Sequence, residues 1–382
     1  MTPAADALGD RRVVSLSAGP VAYHERGSGS PIVLIHGVLM NADTWRDAVP
    51  TLAASHRCIA PDWPTGGHRT ALNADARITP EALADLVVEF LAALDLRDAT
   101  LVGLGLGTVL CEIVAIRRPE RVGRVVFAPG DILSTFPPRW ARLRFAVAYA
   151  PPIAGLLVQA LHARRVRRLA YRRFAHTMPD ALAESFTRGL RHDRRVRRDA
   201  LKLLRAIFRG RTYTPHSALA EFDRPALVLW GSDDRAFPQS HPDDLMGLLP
   251  NAELTVIDGA HTFLAQDQPH AFAAAIDAFI LGYAARSSVR REDAPMHAVV
   301  IRVTIKDVDN ATTELREQVV PRVSQAPGFV AGYWTREGNT GLSMVVFESE
   351  EAARAASAQL PSGMPDSVAL EDVEVREVVA NA

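Results

Sequence analysis

Ala99-Thr100-Leu101-Val102-Gly103-Leu104-Gly105-Leu106-Gly107 is an apolar strand that runs directly into three alternating glycines. It has the frame of a strand-turn-helix elbow of the G-x-S-x-G type, whose central residue stands on a sharp turn with positive φ and whose neighbours must be small. The tip is Gly105, so the turn can form while the Oγ, Sγ or carboxylate that a nucleophile needs is missing. A dinucleotide-binding loop would require glycine at position 108, where the chain has Thr108. Such a loop also opens its βαβ unit, whereas several strand signals precede this turn.

Upstream, residues 11–35 read as two or three strands ending in Pro31-Ile32-Val33-Leu34-Ile35, and Arg57-Cys58-Ile59-Ala60 reads as another. A helix from Pro80 to Leu94, with proline at its opening and apolar residues at helical spacing, delivers the chain to the elbow. Downstream come a helix that stops before Pro119 and the strand Arg124-Val125-Val126-Phe127-Ala128. Strand-helix alternation of this kind argues for an α/β fold with a parallel sheet covered on both faces. From about 137 to 214 the pattern is helical only and reads as an inserted cap. The sheet resumes with Ala226 to Trp230 and Ala252 to Ile257, and a helix from about Pro269 to Tyr283 closes a first domain, 1–283.

Residues 284–295 are polar and aperiodic and read as a linker. Beyond it, 296–382 has the order βαββαβ, an α+β ferredoxin-like unit. An open four-stranded sheet of that kind leaves one face uncovered, so pairing with a second copy, a homodimer, is expected.

The 382 residues suit two domains, and 48% apolar with 23% charged residues is ordinary for a globular chain. A net charge of -1 gives no push toward nucleic acid or membrane. It conceals an asymmetry: residues 139–211 hold 19 Lys+Arg against 4 Asp+Glu, a balance of +15, which leaves -16 for the rest. These arginines could attract an anion, but amphipathic helices with arginine stems on their outer faces account for them more simply. The two cysteines, Cys58 and Cys111, sit in apolar runs without disulfide or metal-ligand spacing. With no leader or long apolar run, the expectation is a cytoplasmic protein that needs no metal or cofactor and takes a small-molecule ligand.

Functional residues of an α/β sheet belong beyond the carboxyl ends of its strands. There the chain delivers His36-Gly37, Gly105, Asp131, Asp234 and His261, in the order nucleophile position, acid, histidine. With His36-Gly37-Val38-Leu39-Met40-Asn41-Ala42-Asp43-Thr44-Trp45, Cys58-Ile59-Ala60-Pro61-Asp62-Trp63-Pro64 and Arg117-Arg118-Pro119-Glu120-Arg121-Val122, residues 13–283 resemble an α/β-hydrolase of the haloalkane dehalogenase and epoxide hydrolase-like branch. In that branch Ser or Asp stands where this chain has Gly105. The resemblance implies His261 as general base, Asp234 as the acid that orients it, and the backbone amides of Val38 and Leu106 as an oxyanion hole. Asp233 and Asp131 compete with Asp234 for the acid role. His36, Trp63, His68 and Trp140 are candidates for lining a substrate site, although tryptophans more often simply pack. Thr108 and Cys111 lie one and two helical turns past the elbow tip, away from the place where the oxyanion amides converge.

The C-terminal unit resembles the antibiotic-biosynthesis monooxygenase-like dimeric α/β-barrel family, through Pro327-Gly328-Phe329-Val330-Ala331-Gly332-Tyr333-Trp334 and Val345-Val346-Phe347-Glu348-Ser349-Glu350-Glu351-Ala352. Some members oxidise aromatic polyketides without a cofactor, and Tyr333, Trp334 and His297 would be candidate ligand contacts.

Overall fold

The computed structural model describes residues 7–136, 146–209, 214–293, 296–360 and 364–379. The chain divides into two compact units at Leu281/Gly282.

The first unit is built on an eight-stranded sheet in the order β1-β2-β4-β3-β5-β6-β7-β8. Its strands are β1 (Asp10–Leu16), β2 (Gly19–Arg26), β3 (Ser30–Ile35), β4 (His56–Pro61), β5 (Ala99–Gly103), β6 (Val122–Phe127), β7 (Ala226–Gly231) and β8 (Ala252–Ile257). From β4 to β8 neighbouring strands are parallel, while β1 and β2 pair antiparallel at one edge. Helices α1 (Pro80–Ala93) and α2 (Leu106–Arg117) flank the elbow strand in sequence. Helix α1 begins where it does because the Thr79 hydroxyl accepts the Ala82 amide and Pro80 presets the first helical φ.

Alternation along the central strands feeds two apolar layers. Val33, Ile35 and Leu101 point into a core with Leu86, Phe90, Val109 and Ile113. Ile32, Leu34 and Val102 point the opposite way, to Trp45, Val49, Phe272 and Ile276. Each fully buried Leu, Ile or Phe contributes roughly 1.5–3 kcal/mol, so both faces of the sheet must be covered.

The described residues of the insertion are helical: α3 (Pro151–Ala160), α4 (Arg164–Tyr171), α5 (Asp180–His192) and α6 (Arg194–Arg209), with a short 3-10 turn before them. Its cations are engaged structurally. Arg198 and Lys202 donate to the carbonyls of Leu72, Ala74 and Ala76 in the segment ahead of α1. Arg197 donates to the carbonyls of Leu190 and Arg191, and Arg205 to Ala148. Arg167, almost wholly buried, binds the Leu161 and His162 carbonyls and pairs with Asp180 and Glu184. Arg198 and Lys202 thereby join the insertion to the sheet domain, while Arg197, Arg205 and Arg167 close backbone carbonyls within it.

Helix α7 (His241–Leu248) follows β7, and α8 (Pro269–Asp293) runs on through most of the stretch that reads as a linker. Local polarity alone does not stop a helix, and residues 284–293 contain neither glycine nor proline.

The second unit has a four-stranded antiparallel sheet in the order β10-β11-β9-β12, from β9 (His297–Ile305), β10 (Phe329–Glu337), β11 (Thr340–Phe347) and β12 (Val368–Glu377). One face packs Val299, Ile301, Val345 and Phe347 under helical segments that include α10 (Glu350–Gln359), which follows α9 (Val308–Glu314). Tyr333 and Met344 are cross-strand partners, and both are exposed. Trp334, the next residue along β10, belongs to the helix-covered core, so Tyr333 and Trp334 cannot share a ligand on one face. Among the described residues, no helix is long and apolar enough to cross a membrane.

Candidate functional site

The turn after β5 has the geometry its glycines require. Gly105 adopts φ 62 and ψ -117 and caps the N-terminus of α2. Its amide donates to the Pro129 carbonyl at 2.9 Å. A Cβ built at Gly105 would meet only the Gly37 Cα within 4 Å, at 3.3 Å, so a side chain is absent here although there is room for one. Gly103 and Gly107 are different: their Cβ atoms would lie 2.5 Å from the Gly107 carbonyl oxygen and 1.9 Å from the Ile35 carbonyl oxygen. They are glycine because backbone crosses there, whereas Gly105 is glycine at the reactive tip.

The loop after β3 passes over this tip. Gly37 approaches Gly105, and Leu39 holds a positive φ of 59, unusual for a residue with a branched side chain. Leu39 is fixed at both polar groups: its amide donates to the Thr65 carbonyl, and its carbonyl accepts the Tyr171 hydroxyl from α4 at 2.8 Å. Val38 is thus carried on a loop tied to the insertion. Leu106, the first residue of α2, has an amide without an intrahelical acceptor, as a helix N-terminus dictates.

Asp234 and His261 lie beyond β7 and β8. Asp234 is buried; its Oδ1 accepts the Ala236 amide at 2.8 Å and the Thr262 hydroxyl at 2.7 Å, while its Oδ2 has no hydrogen-bond partner. Burial raises its pKa, against hydrogen bonding from the Ala236 amide, the Thr262 hydroxyl and the Phe237 amide and the attraction of His261. His261 Nδ1 is likewise buried and unpartnered. The carboxylate recorded nearest to it is Asp267, whose Oδ2 accepts the His261 amide at 2.9 Å and lies 3.6 Å from Nδ1. Asp233 pairs instead with His176 of the insertion, at 3.3 Å.

Asp131 is placed beside the elbow through Gly130, but its partners are others. Its Oδ1 accepts the Thr135 hydroxyl at 2.6 Å, and that hydroxyl lies 3.0 Å from His241 Nε2. His241 Nδ1 sits 3.1 Å from the Gly130 carbonyl, which fixes this nitrogen as the donor. Burial pushes the Asp131 carboxyl up to about 7, and nearby Glu112 adds to the rise. Burial also lowers His241 and raises Glu112, a wholly buried residue that accepts the Leu133 amide and pairs with His216 at 2.8 Å.

A carboxyl that stays protonated to about pH 7 when folded, but only to about 3.8 when unfolded, makes the folded state lose stability as pH rises through that window. At about 1.4 kcal/mol per unit the full span is roughly 4 kcal/mol. Asp131→Asn keeps the acceptor for Thr135 and removes the titration. Its stability is expected to decline less steeply between pH 4 and 7 than the parent's; equal slopes in urea denaturation at several pH values would refute this.

Other candidate residues are engaged in structure. His36 is fully buried, its Nε2 accepts the Trp63 amide, and burial lowers its pKa to about 4. Its Nδ1 lies against the Gly37 carbonyl and the Thr65 hydroxyl, leaving the ring no polar atom for a substrate. Trp63 is fully buried against Phe90. His68, also fully buried, accepts the Gly66 amide and faces Asp199 of α6. None of these three side chains is open to a ligand. Trp140 lies outside the described residues. The Thr108 hydroxyl bonds the carbonyls of Gly103 and Ala128, and burial raises the pKa of the Cys111 thiol, so neither is an activated nucleophile.

Residues 30–268 match the family model of the alpha/beta hydrolase fold. The chain belongs to the α/β-hydrolase fold family. Among curated relatives of this α/β-hydrolase-fold protein, (E)-2-((N-methylformamido)methylene)succinate hydrolase of Acinetobacter baylyi is 33% identical over 126 residues, 33% of this chain and 47% of that one. The chain thus spans about half the length of that relative. Haloalkane dehalogenase 2 of Mycobacterium tuberculosis is 26% identical over 270 residues, 68% of this chain and 91% of that one. Among solved structures, a serine hydrolase involved in carbazole degradation superposes with a TM-score of 0.59 at 20% identity, covering 71% of this chain and 98% of that one. That superposition concerns the fold alone. Relatives of this α/β-hydrolase-fold protein are thus hydrolases and dehalogenases.

Proposed function

We propose that this α/β-hydrolase-fold protein is an enzyme that acts on a small, largely apolar molecule without forming a covalent intermediate. Gly105 occupies the nucleophile position, His261 is the general base oriented by Asp234, and the amides of Val38 and Leu106 receive developing negative charge. The observations that carry this reading are the intact elbow, with positive φ at Gly105 and room beside it, and two buried, unpartnered atoms beyond β7 and β8, Asp234 Oδ2 and His261 Nδ1. The reading requires those two atoms to pair, as catalytic hydrogen bonds often tighten only when substrate is bound. His261 then takes a proton from water or from the substrate, and the resulting hydroxide or carbanion reacts while the oxyanion amides hold the charge.

A positioned general base contributes about 100 to 10000-fold. His261→Ala is therefore expected to lower kcat/KM by at least about 100-fold on any small ester, epoxide or haloalkane the parent turns over. Undiminished turnover by that variant would show that the base lies elsewhere.

The C-terminal unit is, in this proposal, a ferredoxin-like domain of the antibiotic-biosynthesis monooxygenase-like kind that pairs with a second copy. The strand order β10-β11-β9-β12 and the exposed Tyr333, Leu342 and Met344 support it. A second reading, a cofactor-free oxygenase in this unit, is favoured by a cavity of about 380 Å³ lined by Val299, Ile301, Arg322, Phe347 and Leu360. A third, a catalytically silent fold that binds a ligand or organises an assembly, is favoured by Gly105 itself. Two free buried cysteines fit a cytoplasmic setting.

A further inference from the structure

We propose that His176, His261 and Asp267 form a binding site for a divalent transition-metal ion of the zinc type. One donor atom from each of the three lies within 4.8 Å of the other two. The imidazoles of His176 and His261 meet edge to face, their centroids 4.0 Å apart and their planes at 87°. A zinc ion with ligands at 2.0–2.2 Å holds tetrahedral donor atoms about 3.3–3.6 Å apart. The 3.6 Å between His261 Nδ1 and Asp267 Oδ2 already has that spacing, and the His176 side chain is half-exposed.

Two further features fit a ligand set better than a chance cluster. Asp267 is pre-oriented by backbone: its Oδ2 accepts the His261 amide at 2.9 Å, and its two oxygens accept the His176 amide at 3.0 and 3.2 Å. Such outer bonds fix a ligating carboxylate in place. His261 Nδ1 is buried with no hydrogen-bond partner, a cost that a bound ion would remove. Asp233, 3.3 Å from His176 Nε2, provides another carboxylate beside the site. Two imidazoles and one carboxylate leave a fourth position for water. The site competes with the catalytic reading, since an ion on His261 Nδ1 would hold the atom that Asp234 is proposed to orient, and its test needs no substrate.

The test uses the full chain, stripped with a chelator and titrated with Zn²⁺ by calorimetry and with Co²⁺ by visible absorption. One equivalent is expected to bind, with the intense Co²⁺ bands of a four-coordinate site. His176→Ala, at a half-exposed position outside the base machinery, is expected to weaken binding by about tenfold or more and to lose those bands. Asp267→Asn should weaken it as well, with near-UV circular dichroism confirming that both variants are folded. No uptake by the parent, or equal affinity in His176→Ala, would overturn the site. No substrate is involved, so failure of the general-base reading leaves this result standing.

Discussion

Gly105→Ser is expected to turn a chain that a phosphonate ester leaves unmodified into one that carries a single covalent adduct at position 105. The new Cβ meets only the Gly37 Cα, at 3.3 Å, so it needs a shift of a few tenths of an ångström. Holding a side chain at φ 62 and ψ -117 costs on the order of 1–3 kcal/mol, which a domain of this size tolerates. The hydroxyl would stand at the N-terminus of α2 beside the Leu106 amide, with His261 as the base that activates it. Gly105→Asp is the parallel experiment with a haloalkane, read as halide release. Folded variants that gain neither an adduct nor turnover would show that His261 and the oxyanion amides are not aligned on this tip.

Gly107→Ala is expected to cost more than about 4 kcal/mol and to lower Tm by about 10 °C or more. Its Cβ would lie 1.9 Å from the Ile35 carbonyl oxygen and 2.7 Å from its carbon, so β3 or α2 must move within a sheet packed on both faces. Gly247→Ala in α7 is the matched control, because nothing lies within 4 Å of that Cβ. It should be neutral or stabilise by up to about 1 kcal/mol, as alanine does in a helix. Equal thermal midpoints for the two variants would mean that the elbow does not cross β3 as closely as described.

The contrast between these two glycines also explains what can be read from the chain directly. Period-two apolar runs and a capped amphipathic segment locate β3, β5, β6 and α1, because those signals are local and each element buries the residues its own pattern marks. Partner choice is another matter. Asp131 reads as a possible triad acid, and the fold adds a partner that no local pattern marks, His241, 110 positions later, which meets the Thr135 hydroxyl that Asp131 accepts. His36 and His68 read as candidate ligand contacts at a strand end, yet backbone amides occupy them. Asp267 carries no motif; its only local signal is a carboxylate in a short helical turn after His261, and the fold adds the amide of His176, 91 positions away, to that of nearby His261 on its carboxylate. The basic insertion was ambiguous for the same reason, since a backbone carbonyl as partner leaves no trace in residue type.

The single hydrogen bond from Tyr171 to the Leu39 carbonyl sets a rule for anyone who recombines this scaffold. Here a graft that replaced α4 without restoring a donor at that position would leave the carbonyl of Leu39 unpaired, in a residue held at positive φ two positions from the Gly37 that meets the elbow. The boundary of the transplantable piece therefore runs through Leu39 as well as through the ends of the insertion.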